Sequence, residues 1–227
     1  YIAGIRYGNV MLAKSFNKTG NFAFNLHYVG YGTFDETSAT SEKMGTFNAG
    51  EYAFNLSWSK SLDSSLMIGT NLKYILSSFG ENTSNGIAAD VGLNWFNEEK
   101  FLSASLVVKN IGRQLKTYEG NEQEDLPFEI QAGIAKQLPK APFRFSLIGQ
   151  QLQKFDLTYT DPSQTGIDPL TGESRAEKIT FRDKLVRHLI LNAEILFSKN
   201  FNLRVGYNFL RRNELGLPEK KGMSGMS

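Results

Sequence analysis

The chain has 227 residues, and its 25 Lys and Arg residues nearly balance 23 Asp and Glu residues. A formal net charge of +2, carried by basic residues that are scattered singly, argues against a nucleic-acid-binding protein. The absence of cysteine excludes structural disulfides, thiol catalysis and cysteine-ligated zinc.

Apolar and polar residues alternate with a period of two, which predicts β-strands along nearly the whole chain. In segment 21–34, Phe22, Phe24, Leu26, Tyr28 and Phe34 are expected on one face, opposite Asn21, Ala23, Asn25 and His27. In all the predicted strands, positions three or four residues apart mix apolar with polar residues, which does not fit an amphipathic helix. The predicted strands cover approximately residues 1–16, 21–34, 52–60, 66–78, 87–96, 102–108, 128–134, 143–150, 189–197 and 201–209, and a further strand is expected to start near residue 223.

The predicted connections alternate between short and long. Short connections are predicted at 17–20, 61–65, 97–100, 139–142 and 198–200, and long ones at 35–51, 79–86, 112–126, 156–186 and 213–222. Tight turns at one end of a meander and extended polar loops at the other are typical of outer-membrane barrels. A sandwich with Greek-key crossings has no reason to keep that order. The membrane interpretation depends chiefly on this alternation.

Hydropathy does not decide between a soluble and a membrane protein. No stretch approaches the roughly 20 apolar residues of a membrane helix, and the mean hydropathy is −0.31. A membrane β-barrel has a similarly low average, because its inward-facing polar residues offset its lipid-facing apolar ones. We therefore predict an all-β protein, a transmembrane antiparallel up-and-down β-barrel in the cell outer membrane.

The whole of residues 1–227 is expected to form a single barrel domain that is truncated at both ends. The sequence begins within a strand-like pattern and stops where another strand starts. Closure of a barrel leaves no unpaired strand edge in lipid, and bacterial single-chain barrels have even strand numbers. We expect about 14 strands in the complete protein.

Aromatic residues near the predicted strand ends suit the headgroup level of a bilayer. These residues are Tyr31, Phe34, Tyr52, Trp58, Tyr74, Phe79, Trp95 and Phe96. The alternative is that they fill the interior of a soluble barrel, such as a lipocalin-like carrier. That alternative predicts apolar residues facing inward and solubility without detergent.

Charged residues within the strands fall mostly on the polar face, and five of them form a candidate lumenal polar network: Lys73, Asp90, Lys109, Glu194 and Arg204. Antiparallel pairing is expected to bring Lys73 near Asp90, Asp90 near Lys109, and Glu194 near Arg204. Such a network either gates or fills a barrel, or simply pairs charges that would otherwise be buried alone.

No motif for catalysis or cofactor binding is present, and we predict a protein that is not an enzyme and has no cofactor or metal. The sequence has no nucleophile elbow, P-loop or His-Glu-x-x-His helix. Its two histidines, His27 and His188, are isolated from one another and make neither a metal site nor a triad.

Several short segments of the sequence, in their order and spacing, resemble the PorV/PorQ family of Bacteroidetes outer-membrane proteins. The resemblance is greatest to the PorQ branch, which belongs to the type IX secretion system. The segments are Tyr31–Asp35, Leu72–Gly80, Val108–Lys116, Pro127–Gln131 and Leu152–Leu157. The resemblance implies a FadL-like barrel in a complex that attaches secreted proteins to the cell surface. It implies an anchoring role without chemistry, with a PorZ-like surface protein among the partners and outer-membrane lipid around the barrel.

The connection 156–186 is far longer than the usual 4–6 residues or so, and long ordered loops are often functional. We predict that it forms a docking surface with 35–51 and 112–126, and that Asp161, Asp168, Leu170, Glu173 and Arg175 contact the partner. The alternative is a solvated polar loop without a partner.

A second function is a FadL-type transporter of hydrophobic small molecules. It shares the barrel but requires an N-terminal hatch and an apolar path through the interior. The Asn, Lys, Asp, Glu and Arg residues of the polar face argue against such a path.

Overall fold

The computed structural model describes residues 4–118, 122–158, 180–198, 200–215 and 223–227. It is an all-β protein with one ten-stranded antiparallel sheet, in which each strand pairs with its sequence neighbours. The elements are β1 (Arg6–Phe16), β2 (Gly20–Thr37), β3 (Lys43–Ser61), β4 (Leu66–Phe79), β5 (Asn82–Asn97), β6 (Leu102–Lys116), β7 (Glu129–Gln137), β8 (Phe143–Gly149), α1 (Phe181–Arg187), β9 (Leu189–Leu196), β10 (Asn202–Asn208) and α2 (Phe209–Leu215). All ten predicted strands are therefore confirmed, and so is the up-and-down order.

Where a further strand was expected to start, near residue 223, the described residues form an isolated bridge to β10 and no strand. Met226 forms an antiparallel bridge with Tyr207, and the Gly206 and Ser227 backbones exchange hydrogen bonds of 2.7 and 3.0 Å. The end of β10 differs from the prediction, because Phe209 begins α2 instead of continuing the strand.

Contacts divide the chain into two compact units. The first unit comprises residues 1–95 and 107–128, and the second comprises 96–106 and 129–227.

The five short connections are present as predicted, within one or two residues, but the strict alternation with long ones is wrong. The connection between β2 and β3 is only 38–42, and the one between β4 and β5 is only 80–81. The sequence suggested loops there because residues such as Asn82–Gly86 are polar and small. A strand ladder needs only backbone groups, however, so β2, β3 and β5 continue as polar strands.

A β-bulge in β2 changes which face the later residues of that strand occupy. The register with β3 shifts between Gly30 and Gly32, and Gly32 has a φ of +89°, a left-handed conformation that favours glycine. Phe34, paired with Phe47, consequently lies on the polar face and not on the face of Phe22 and Tyr28.

Three of the aromatic residues that were predicted to lie at the headgroup level are on the polar face instead. The Tyr31 hydroxyl donates to Glu51 on the polar face at 2.8 Å, and its ring stacks on Phe79 with a centroid distance of 5.8 Å. Phe34 pairs with Phe47 across the strands, not with the apolar row.

The predicted lipid-facing positions of Tyr31, Phe34 and Phe79 are therefore wrong. Phe34 changed face through the bulge, which period-two counting cannot detect. Tyr31 and Phe79 are separated by an even number of residues from polar-face residues of their own strands, His27 and Lys73, so the alternation itself places them there.

Candidate functional site: the two faces of the sheet

The polar face of the first unit is centred on Asp90. Lys73 Nζ lies 2.7 Å from Asp90 Oδ2, Asn71 donates to the same oxygen at 3.2 Å, and the Asn110 backbone N–H donates to Oδ1 at 2.9 Å. The side chains of Lys73 and Asp90 are each 19% exposed. The structure thus brings Lys73 and Asp90 together, as antiparallel pairing predicted.

Asn110 of β6, the residue after Lys109, also contacts Asp90, and the expected nearness of Asp90 and Lys109 stays a prediction. Asn110 has a φ of +56°, and its amide N–H points to the Asp90 carboxylate. Its side chain accepts from Lys73 at 2.8 Å.

Hydrogen bonds extend from Asp90 across the strands toward β1. Asn71 donates to Asn55 at 3.3 Å, and Asn55 donates to the Asn25 carbonyl at 3.4 Å. The Asn25 side chain bonds His27 at 2.9 Å. Asn55 is only 8% exposed. A continuous polar band therefore crosses this face, and His27 belongs to it as a hydrogen-bonded member.

The connection after β6 folds back over the polar face. The Tyr118 hydroxyl donates to Ser77 at 2.6 Å, and the Glu124 backbone N–H donates to Gln114 Oε1 at 2.8 Å. Gln114 in turn donates to Ser84 at 2.7 Å. Ser77, Ser84 and Gln114 are all buried. Sequence reasoning placed this connection in a docking surface, but its described residues cover strand residues of their own unit.

The polar face of the second unit carries a triad of charges directly across three strands. Glu194 of β9 is paired in register with Arg144 of β8 and Arg204 of β10. Its carboxylate lies 2.9 Å from Arg144 Nη1 and 2.7 Å from Arg204 Nε. Glu194 is 8% exposed. The predicted contact of Glu194 and Arg204 is present, and Arg144 completes it.

His188, the other histidine, joins two connections of the second unit. It is buried, and its ring nitrogens lie 2.8 Å from the Gln150 carbonyl and 3.2 Å from the Phe155 carbonyl. Gln150 also donates to Asn208 at 3.2 Å. These contacts fix the His188 side chain at the base of the connection between β8 and β9.

The five predicted docking residues, Asp161, Asp168, Leu170, Glu173 and Arg175, lie outside the described residues. Beside them the structure shows a helix that the sequence pattern did not predict. Thr180 and Asp183 form a capping box at the start of α1, which satisfies two backbone N–H groups.

Two aspartates hold this helix in place. Lys184 Nζ lies 2.7 Å from Asp156 Oδ2, and the Lys184 hydrogen bond holds the pKa of Asp156 well below its usual range. The Thr180 hydroxyl likewise lowers the pKa of Asp183. Hydrogen bonds to the ionised carboxylates are the cause of both shifts.

The other face of the sheet is apolar and exposed in both units. Leu56 and Leu72 are opposite one another, and each is 55% exposed. In the second unit, the face opposite to the Glu194 triad carries exposed leucines on β8, β9 and β10: Leu147, Leu191 and Leu203. This inverts the usual arrangement of a water-soluble protein, in which large apolar side chains are buried and polar ones are exposed.

Aromatic side chains border the apolar rows of the first unit. Tyr28 and Tyr52 pair across β2 and β3 with ring centroids 4.8 Å apart. Toward the short turns lie Trp58, whose Nε1 donates to the Thr19 carbonyl at 2.8 Å, and Trp95, opposite Leu66. The predicted positions of Tyr52, Trp58 and Trp95 on the apolar face are confirmed.

No group of His, Asp or Glu side chains suited to hold a metal ion occurs among the described residues. Within the same part of the chain, no helix has the length and hydropathy of a membrane-spanning helix.

No protein-family model matches this sequence, and no curated protein matches it significantly.

Proposed function

We propose that the chain belongs to an outer-membrane β-barrel whose apolar face contacts lipid and whose polar face lines an enclosed interior. The observation that carries this proposal is the inverted burial: Leu56 and Leu72 are exposed on one face, while Asn55, which precedes Leu56 and lies on the opposite face, is buried. Only an apolar solvent makes such a face favourable, since exposed apolar surface costs about 25 cal/mol per Å² in water. Seven of the ten strands, β1 to β7, reach the length of about 9–11 residues that spans a bilayer, whereas β8, β9 and β10 have 7, 8 and 7 residues.

Within this proposal, the barrel is a non-enzymatic component of the type IX secretion system that anchors surface partners through its extracellular loops. The resemblance to the PorV/PorQ family supports this part, and the long connection between β8 and β9 supplies the surface. Neither polar network resembles a catalytic arrangement: Asp90 and Glu194 are both neutralised by basic side chains.

Lipid contact can be tested with the two tryptophans, which both lie on the apolar face. In liposomes, we expect their fluorescence to be quenched by lipids brominated near the carbonyl end of the acyl chains, because Trp58 and Trp95 lie toward the strand ends. Lipids brominated at the chain terminus should quench less. The single variants Trp58→Phe and Trp95→Phe assign the signal. Strong quenching by aqueous acrylamide with none by either lipid would contradict the proposal.

The secretion role can be tested separately in a deletion strain. We expect cargo proteins to lose their attachment to the cell surface, since the proposed anchor for the attachment partners is gone. Uptake of long-chain lipids should be unchanged. Normal cargo attachment combined with loss of lipid uptake would favour the FadL-type transporter instead. A complementing copy of the gene is the control in both measurements.

A further inference from the structure

Glu51 differs from the other carboxylates of the polar networks in the groups that surround it. It lies on β3, paired with Val29 of β2 and Ser77 of β4. Its carboxylate accepts from the Tyr31 hydroxyl at 2.8 Å and from the Ser77 hydroxyl at 3.1 Å. The Tyr118 hydroxyl supports Ser77 at 2.6 Å. Neutral hydroxyls thus fix the position of the carboxylate.

The negative charge of Glu51 has no cation beside it among the described residues, whereas Asp90 has Lys73 and Glu194 has two arginines. Lys73 lies four residues along β4 from Ser77, about 13 Å away at roughly 3.3 Å per residue. His27 is nearer, two residues from Val29, but its ring is hydrogen-bonded to Tyr7, Asn9 and Asn25. Glu51 is half-buried, and a partly desolvated charge without a counterion is unfavourable.

Aromatic rings stand next to this carboxylate. Phe79 stacks on Tyr31 at 5.8 Å and meets Tyr118 edge-on at 5.9 Å. Phe79 remains 38% exposed, so part of its side chain is accessible to a ligand. The face of an aromatic ring is electronegative and attracts cations. A carboxylate held by hydroxyls and flanked by such rings favours a positively charged group over a neutral one.

We propose that Glu51, with Tyr31, Phe79 and Tyr118, forms a binding site for an organic cation, an ammonium or guanidinium group. Such a group would supply the charge that the carboxylate lacks and would stack against the exposed ring. The cation is either a free amine or guanidine or the side chain of a Lys or Arg residue from a partner protein. This proposal does not depend on the secretion role.

The test is calorimetric titration of the full chain in detergent micelles with n-butylammonium, with ethylguanidinium, and with a capped glycine peptide that contains one arginine. We expect saturable binding of at least one probe. Glu51→Gln should weaken it about tenfold or more, because a charge-assisted hydrogen bond is lost. Phe79→Leu, which keeps the carboxylate, should weaken it about 2- to 5-fold. Circular dichroism checks that each variant is folded.

The matched control is Glu36→Gln, which removes an exposed carboxylate from the same strand pair and should bind the probes like the wild type. Binding of the small probes and the peptide alike indicates a free cation as the source, and binding of the peptide alone indicates a protein side chain. The proposal is overturned if no probe binds saturably, if Glu51→Gln retains the wild-type affinity, or if Glu36→Gln loses as much affinity.

Discussion

Leu72→Arg is expected to destabilise the protein in liposomes by about 2–4 kcal/mol, the cost of an arginine near the middle of a bilayer. Leu72 lies within the apolar row of β4, opposite Leu56 on one side and Ala89 on the other, and more than half of its surface is exposed. On a water-exposed surface the same substitution would change stability by no more than about 0.5 kcal/mol. The environment of this face therefore decides the size of the effect.

Met44→Arg is the matched control for that substitution. Met44 is also a large exposed apolar residue, at 72%, but it lies near the tip of the β2–β3 hairpin, beyond the aromatic residues that border the apolar rows. We expect its substitution to leave stability nearly unchanged. The measurement is urea unfolding from liposomes, followed by tryptophan fluorescence. Equal and small effects of Leu72→Arg and Met44→Arg would show that the apolar face meets water.

Glu194→Ala should destabilise the protein by about 2–3 kcal/mol. Removing one partner of a buried ion pair costs about 3–5 kcal/mol. The effect here should be smaller, because the Arg204 side chain is 70% exposed and can turn to solvent. The Arg144 side chain, at 41% exposed, keeps a hydrogen bond to Gln137 of 3.2 Å. The loss of stability is measured by far-UV circular dichroism during urea unfolding. Tryptophan fluorescence is not suitable, because both tryptophans lie outside this unit.

The triple variant Arg144→Met, Glu194→Leu, Arg204→Met measures the net contribution of the three charges to stability. Glu194→Ala, by contrast, measures the destabilisation that results when the two arginines lose their partner. Replacing a complete buried ionic group by apolar residues is often neutral or stabilising. We expect the triple variant to be closer to the wild type than Glu194→Ala is. A triple variant that is the less stable of the two would mean that the triad contributes net stability.

Prediction from sequence worked where one rule governed a whole segment. Alternation in β9 and β10 placed Glu194 and Arg204 on one face, and the tight turn at 197–201 fixed the register between these two strands. Prediction failed where one residue broke the alternation. The bulge after Gly30 moved Phe34 to the polar face, and the left-handed conformation of Asn110 directs its backbone N–H to Asp90, a contact that the alternation did not predict.

The amino-acid sequence by itself determined the all-β class, the number and order of the strands, and the face of most strand residues. It did so because side chains alternate along a strand whatever the strand pairs with. Only the tertiary structure decided where the polar strands end, how the connection after β6 covers the polar face, and that Glu51 lies among aromatic rings. Those features arise from contacts between residues that are distant in the chain, which no local period records.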